Sequence, residues 1–170
     1  MKQITLGLDR LLTDPEAYLR GKTFGLIVNQ TSQTSDGYPS IPRFHSLARF
    51  QLTTLFAPEH GLYGVNQDMA AVADHVDSPS GLPVKSLYGT DSSSLTPSPD
   101  LLRGLDNLIF DIQDVGSRYY TFIYTLANCM QVCAKTDTRM IVCDRPNPIN
   151  GVTVEGNLGG GKYRSFVGQY

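Results

Sequence analysis

Five short apolar runs punctuate the chain, and a cluster of polar or turn-forming residues follows each one. They occupy residues 23–29 (TFGLIVN), 52–57 (LTTLFA), 84–88 (VKSLY), 107–112 (NLIFDI) and 139–143 (RMIVC). Three of the runs are near-continuous in apolar residues instead of alternating. That pattern marks strands buried on both faces, as in a parallel sheet covered by helices. Helical spacing fills the intervals. Residues 8–20 put Leu8, Leu11, Leu12 and Leu19 on one side, with Pro15 starting a second segment. Residues 41–50 space Phe44, Leu47 and Ala48 helically, and residues 120–135 align Phe122, Leu126, Met130 and Cys133. A short helix over residues 99–105 has Ser98 as N-cap and a proline at its first position. The alternation predicts an α/β layered domain with a mostly parallel sheet of about five strands. Two stretches read as loops, residues 58–83 and the glycine-rich residues 147–170. The first is longer than an ordinary connection, which marks it as functional.

Composition narrows the function. At 170 residues the chain makes one domain, and 41% hydrophobic with 18% charged residues is a globular balance. The formal net charge is −2 and no run of like charges reaches five, so neither a nucleic-acid surface nor an anionic membrane patch is expected. Charges at Lys2, Asp9, Arg10, Asp14, Glu16 and Arg20 interrupt any signal-peptide core, and the longest uncharged stretch, residues 119–134, is too short to span a bilayer. The expectation is a soluble protein, either cytoplasmic or exported with its leader removed. Cys129, Cys133 and Cys143 form no CxxC pair and are expected to be small buried hydrophobes, not a disulfide or zinc site.

The position of the polar residues carries the functional signal. The first run ends at Asn29, the second runs into Pro58, Glu59, His60 and Gly61, and the fourth into Asp111, Gln113, Asp114 and Arg118. The fifth runs into Asp144, Arg145 and Asn147. In an open parallel sheet, ligands bind just outside the carboxyl ends of the strands, so these loops converge on one crevice. Each residue also has a structural reading. Glu59 can cap a helix, and His60 can be a packed loop histidine. Asp111 interrupts an apolar strand, so it is either buried with a partner or placed for function. Arg118 and Arg145 can neutralise the neighbouring aspartates or clamp a ligand carboxylate. Tyr119, Tyr120 and Tyr124 can be core or pocket lining. The Asp74-His75-Val76-Asp77 segment holds metal-capable side chains that alternate instead of converging, so no metal site is expected. Neither a GxGxxG nor a GxxxxGK[ST] loop follows the first strand, and no GxSxG elbow occurs, which argues against nucleotide binding and against a serine hydrolase.

Taken in order, the segments GLIVNQT (residues 25–31), FAPEHG (56–61), GLPVKSLYG (81–89), FDIQDVGSRYYT (110–121) and DRPNP (144–148) resemble those of the exo-β-N-acetylmuramidases, bacterial glycosidases. The resemblance runs from about Leu6 to the last residue. It implies a Rossmann-like three-layer domain over residues 1–150. Residues 151–170 would then be a linker or the start of a C-terminal auxiliary domain, with the site in the cleft between the two domains. It implies release of terminal N-acetylmuramic acid from the non-reducing end of peptidoglycan fragments, with no cofactor. Glu59 matches the family's proposed catalytic residue.

For the second group needed in glycoside hydrolysis the candidates are Asp111, Asp114 and the substrate's own acetamido oxygen, with Asp114 or Gln113 orienting it. Asp114 is the preferred catalytic partner. The expected substrate contacts are Asn29, His60, Asp111, Gln113, Arg118, Tyr120, Arg145 and Asn147, with Arg118 and Arg145 reserved for the lactyl carboxylate. Two competing classes remain: a non-catalytic sugar- or nucleotide-binding domain, and a metal-dependent phosphoryl hydrolase built on Asp111, Asp114 and Asp144.

Overall fold

In the computed structural model, residues 4–67, 73–89, 95–165 and 167–169 are described. The two strands at the centre are the most apolar. They are β1 (Thr23–Val28) and, later in the chain, β5 (Asn107–Asp111); every residue of β5 is buried. β1 pairs in parallel with β2 (Gln51–Ala57) on one side and with β5 on the other. β4 (Pro83–Ser86) adds in parallel to β2, and β6 (Arg139–Val142) in parallel to β5. A two-residue strand, β3 (His75–Val76), pairs antiparallel with β4 at the edge. The order is β3-β4-β2-β1-β5-β6, so the sheet has six strands, five of them parallel. The extra strand lies inside the stretch expected to be loop, too short to leave a periodicity signal.

The helices lie in two layers. α1 (Gly7–Thr13) and α3 (Ser40–His45) bring Leu8, Leu11 and Phe44 onto one face, against Phe24, Leu26, Val28, Leu55 and Ile109. α5 (Phe122–Thr136) brings Phe122, Cys129, Val132 and Cys133 onto the other, together with Leu102 of α4 (Pro99–Leu102). They meet Ile27, Phe56, Leu108 and Phe110. Alternate residues of β1 and β5 thus supply opposite cores, as a doubly covered sheet requires. The expected first helix is two: Asp14 leaves helical geometry, accepts from Ala17 N at 3.3 Å and caps α2 (Pro15–Tyr18). Ser98 caps α4 by accepting from Asp100 N, as its position before Pro99 predicts. The three cysteines are buried and free, and burial pushes the Cys133 thiol up to about 11. No helix among the described residues is long and apolar enough to cross a membrane.

The topology fixes where a ligand can sit. From β1 the chain moves outward through β2 to β4, then returns to the other side of β1 for β5 and continues outward to β6. The direction of winding therefore reverses between β1 and β5. Loops leaving these two strands diverge there and open a crevice at their carboxyl ends.

Candidate active site

The crevice floor is locked by hydrogen bonds between the loops after β1 and β5. Thr31 N and Thr31 Oγ1 both donate to Asn29 Oδ1, at 2.9 and 2.6 Å. Thr31 Oγ1 in turn accepts from Gln113 N at 3.0 Å. Ser32 Oγ accepts from Asn29 N at 3.0 Å and donates to the carbonyl of Asp111. This arrangement leaves Asn29 only 5% exposed, and its Nδ2 has no hydrogen-bond partner among the described residues.

Glu59 follows β2, the neighbour of β1. The register pairs Ile27 with Phe56, so Asn29 and the Pro58-Glu59 step leave the sheet at the same level. Gly61 N donates to Pro58 O at 3.0 Å and closes a turn with Glu59 and His60 at its centre. His60 has φ 68 and Gly61 φ 77. A left-handed residue at the second central position is the requirement of a type II turn, and a histidine there is strained where a glycine would not be. The His60 ring is held by Asn66 O, 3.1 Å from Nδ1. The turn directs Glu59 inward: it is 6% exposed, and its Oε2 accepts from Thr121 Oγ1 at 2.6 Å. Thr121 is the N-cap of α5, yet its side chain makes no capping bond. The hydroxyl that would close the helix is spent on Glu59 instead.

The loop downstream of this turn is anchored by Asp77, which is 2% exposed. It accepts from Tyr63 Oη at 2.6 Å and from Ser80 N at 3.0 Å. Burial, then the neighbouring Asp77 carboxylate, push the Tyr63 phenol up to about 12. Residues 68–72 of this loop lie outside the described residues.

Aromatic and cationic side chains precede Thr121 on the segment between β5 and α5. Tyr119 and Tyr120 precede α5 and are exposed, and the Tyr120 ring lies 6.4 Å from that of Phe122. Arg118 is exposed and donates to Asn157 O at 2.7 Å. Asp114 is exposed on the loop after β5. Asn147 is exposed, accepts from Ile149 N at 2.9 Å and packs its amide against Gly116. That glycine has φ 73, and a Cβ there would fall 2.5 Å from Asn147 Nδ2, so only glycine permits the contact.

Three expected ligand contacts are engaged elsewhere. Asp111 is fully buried and points to the α1–α3 side of the sheet, where its carboxylate meets the Arg145 guanidinium. The contact is ionic, without well-aligned hydrogen bonds to either Asp111 oxygen. The Arg145 side chain is only 4% exposed and also donates to Cys143 O at 3.3 Å and Gln33 O at 3.1 Å. Burial holds the Asp111 carboxyl above its ordinary value, opposed by Arg145 and then by Ser40. The pair is a structural one on the far side of β1 and β5 from Glu59, because Asp111 falls in phase with Ile109 and not with Phe110. The third contact, Gln113, turns its Nε2 to Asp114 O and Pro146 O at 2.7 and 3.0 Å, tying the two loops together.

The metal-capable side chains on the long loop have other partners: Asp74 pairs with Lys85 at 2.7 Å and His75 Nδ1 with Ala73 O. Among the described residues no three His, Cys, Asp or Glu side chains cluster to hold a metal. Two grooves, of about 440 Å³ beside Gly7 and Asp144 and about 410 Å³ beside Tyr63 and Pro79, do not include Glu59.

Sequence reasoning missed Thr121. Its signal was present, since threonine before a helical apolar stripe reads as an N-cap, but the helix was expected to begin at Tyr120, two residues before the observed start at Phe122. Thr31 and Ser32 were visible only as turn formers.

A structure of a DUF1343 family protein from Bacteroides fragilis superposes with a TM-score of 0.84 at 38% identity, covering 98% of this chain and 41% of that one. A second DUF1343 family protein from the same organism gives 0.73 at 30% identity, with the same coverage. The peptidoglycan beta-N-acetylmuramidase NamZ of Bacillus subtilis is 40% identical over 168 residues, which is 99% of this chain and 40% of the relative. The chain therefore spans about two fifths of the length of these relatives. Residues 24–170 match the family described as exo-beta-N-acetylmuramidase NamZ, N-terminal, and it is to this family that the chain belongs.

Proposed function

We propose that this chain carries the catalytic crevice of an exo-acting β-N-acetylmuramidase, which releases terminal N-acetylmuramic acid from the non-reducing end of peptidoglycan fragments. The observation that supports it is Glu59: a carboxyl group 6% exposed, set by a strained turn at the carboxyl end of β2, the strand next to the switch point, and held by one hydroxyl. With Oε2 committed to Thr121, the proton exchanged with the ligand is assigned to Oε1. Glycoside hydrolysis needs one carboxylic acid to protonate the leaving oxygen and a second group to handle the attack at the anomeric carbon. Glu59 gives its proton to the glycosidic oxygen as that C–O bond breaks. The new bond at the anomeric carbon comes from water, whose proton passes to a carboxylate. Asp114 is that second group, since Asp111 is buried against Arg145. Tyr120 offers a ring for the sugar face, and Arg118 a cation for the lactyl carboxylate. Asn29, His60 and Asn147 complete the floor and rim.

The second wall of the site comes from a C-terminal domain in the longer gene product. Exposed Ile149, Val152, Val154 and Leu158, following the Arg145 loop, offer apolar surface for that contact. Closing the crevice excludes water and strengthens each charge contact within it.

The deciding experiment is Glu59→Gln in the whole gene product. Release of free N-acetylmuramic acid from a muramoyl disaccharide is expected to fall by about 10²–10⁴-fold with binding retained. Near-normal turnover by the Gln variant removes Glu59 from the chemistry.

A further inference from the structure

Asn29 holds a donor that the fold has oriented and left unused. Its Oδ1 accepts from a backbone N–H and a hydroxyl of Thr31, at 2.9 and 2.6 Å. A backbone N–H can only donate, so the amide cannot flip, and the group on the other side is fixed as Nδ2. That Nδ2 is buried without a partner among the described residues. An orphaned buried donor is costly, so its persistence at the end of β1 calls for a function. Because Thr31 also accepts from Gln113 N, the amide is braced by both loops that form the crevice.

The chemistry of the position selects the ligand group. Nδ2 is uncharged, and the side chains that hold the Asn29 loop are the hydroxyls of Thr31 and Ser32. The buried guanidinium of the region, Arg145, is on the far side of the sheet and paired with Asp111. A charged carboxylate would be poorly compensated at such a site, whereas a neutral carbonyl oxygen is suited to it. In a muramoyl saccharide the neutral carbonyl is that of the 2-acetamido group, borne on the carbon next to the anomeric centre. Asn29 and Glu59 leave adjacent strands at the same level, which matches that adjacency. We propose that Asn29 Nδ2 donates to the acetamido carbonyl oxygen of the bound sugar and is the residue by which the site requires an N-acetylated ligand. This rests on the reading of the crevice as a muramoyl site.

Asn29→Asp tests it. Aspartate keeps the acceptor for both Thr31 bonds, so the loop tie survives, but it replaces the donor with an oxygen that repels a carbonyl. The whole gene product is titrated calorimetrically with N-acetylmuramic acid and with muramic acid, which lacks the acetyl group and keeps the lactyl carboxylate. The unsubstituted protein is expected to prefer the acetylated sugar by about tenfold or more, the worth of one buried hydrogen bond. In the Asp variant the affinity for the acetylated sugar is expected to drop by at least about tenfold and the preference to vanish. An Asp variant that keeps both affinity and preference overturns the proposal while leaving the muramoyl reading intact. Failure of the unsubstituted protein to bind either sugar overturns the muramoyl reading and the proposal with it. Should Asn29→Asp fail to fold, a crystal structure of the unsubstituted protein with N-acetylmuramic acid decides: Nδ2 at about 3 Å from the acetamido oxygen supports the assignment, and a separation beyond about 4 Å refutes it.

Discussion

Replacing Arg145 by Met keeps the length of the side chain and deletes its charge, leaving Asp111 alone in the core between α1, α3 and the sheet. The exposures, 4% for the Arg145 side chain and none for Asp111, show that water cannot take over the role of the guanidinium. Breaking a buried ion pair from one side costs about 3–5 kcal/mol, because the remaining charge must be buried unpaired or neutralised. Domains of this kind have about 5–15 kcal/mol in total, so the loss is a large fraction of the stability. With a urea slope of about 2 kcal/mol per M, a loss of about 4 kcal/mol moves the unfolding midpoint down by about 2 M, read by far-ultraviolet circular dichroism.

The loss is also expected to depend on pH. Burial holds the folded-state Asp111 carboxyl above its ordinary value, so the folded chain binds this proton more tightly than the unfolded chain. Stability from this group is therefore present below the unfolded pKa of about 4 and declines as pH rises through the folded value. Without Arg145 the principal opposing influence is gone and the folded value moves higher still. The Met variant should accordingly be destabilised less at about pH 5 than at about pH 7. Adding Asp111→Asn should restore most of the loss, since no charge is then stranded. Two results would refute the assignment of the pair as structural. One is a Met variant within about 1 kcal/mol of the parent; the other is a loss that is the same at both pH values and is not relieved by Asp111→Asn.

Thr121→Val removes the hydroxyl that holds Glu59 Oε2. It is expected to lower kcat by about tenfold with little change in KM, and Thr121→Ser should restore the rate; a Ser variant as slow as Val would make the role one of packing. Arg118→Met should cost about 1.5–3 kcal/mol of binding for N-acetylmuramic acid and little for N-acetylglucosamine, which has no lactyl carboxylate; equal losses for the two sugars would make Arg118 structural.

The layered α/β arrangement was legible in the chain because its cause is local. Near-continuous apolar runs such as Leu26-Ile27-Val28 and Leu108-Ile109-Phe110 have to be buried on both faces, and helical stripes between them supply the covering layers. The crowding of Glu59, Asp111, Asp114 and Arg118 just past strand ends was visible for the same reason. Ser98 before Pro99 announced its cap, since that bond needs only neighbours in sequence.

What lay beyond the sequence depended on contacts between distant segments. The two-residue β3 exists only because β4 is there to pair with it. Strand alternation placed Asp111 on the α1–α3 side of the sheet, whereas the turn after β2 carried Glu59 to Thr121 at the start of α5; the identity of the Asp111 partner, Arg145, was settled by how the β6 loop folds back over the α1 face. Thr121 met Glu59 across 62 positions of sequence because the order β2-β1-β5 carries the helix that follows β5 back toward the end of β2. Sequence determined which residues had to be buried and which ended each strand. The tertiary structure decided which buried polar groups found partners, because partnership depends on distance in space, which local patterning does not encode.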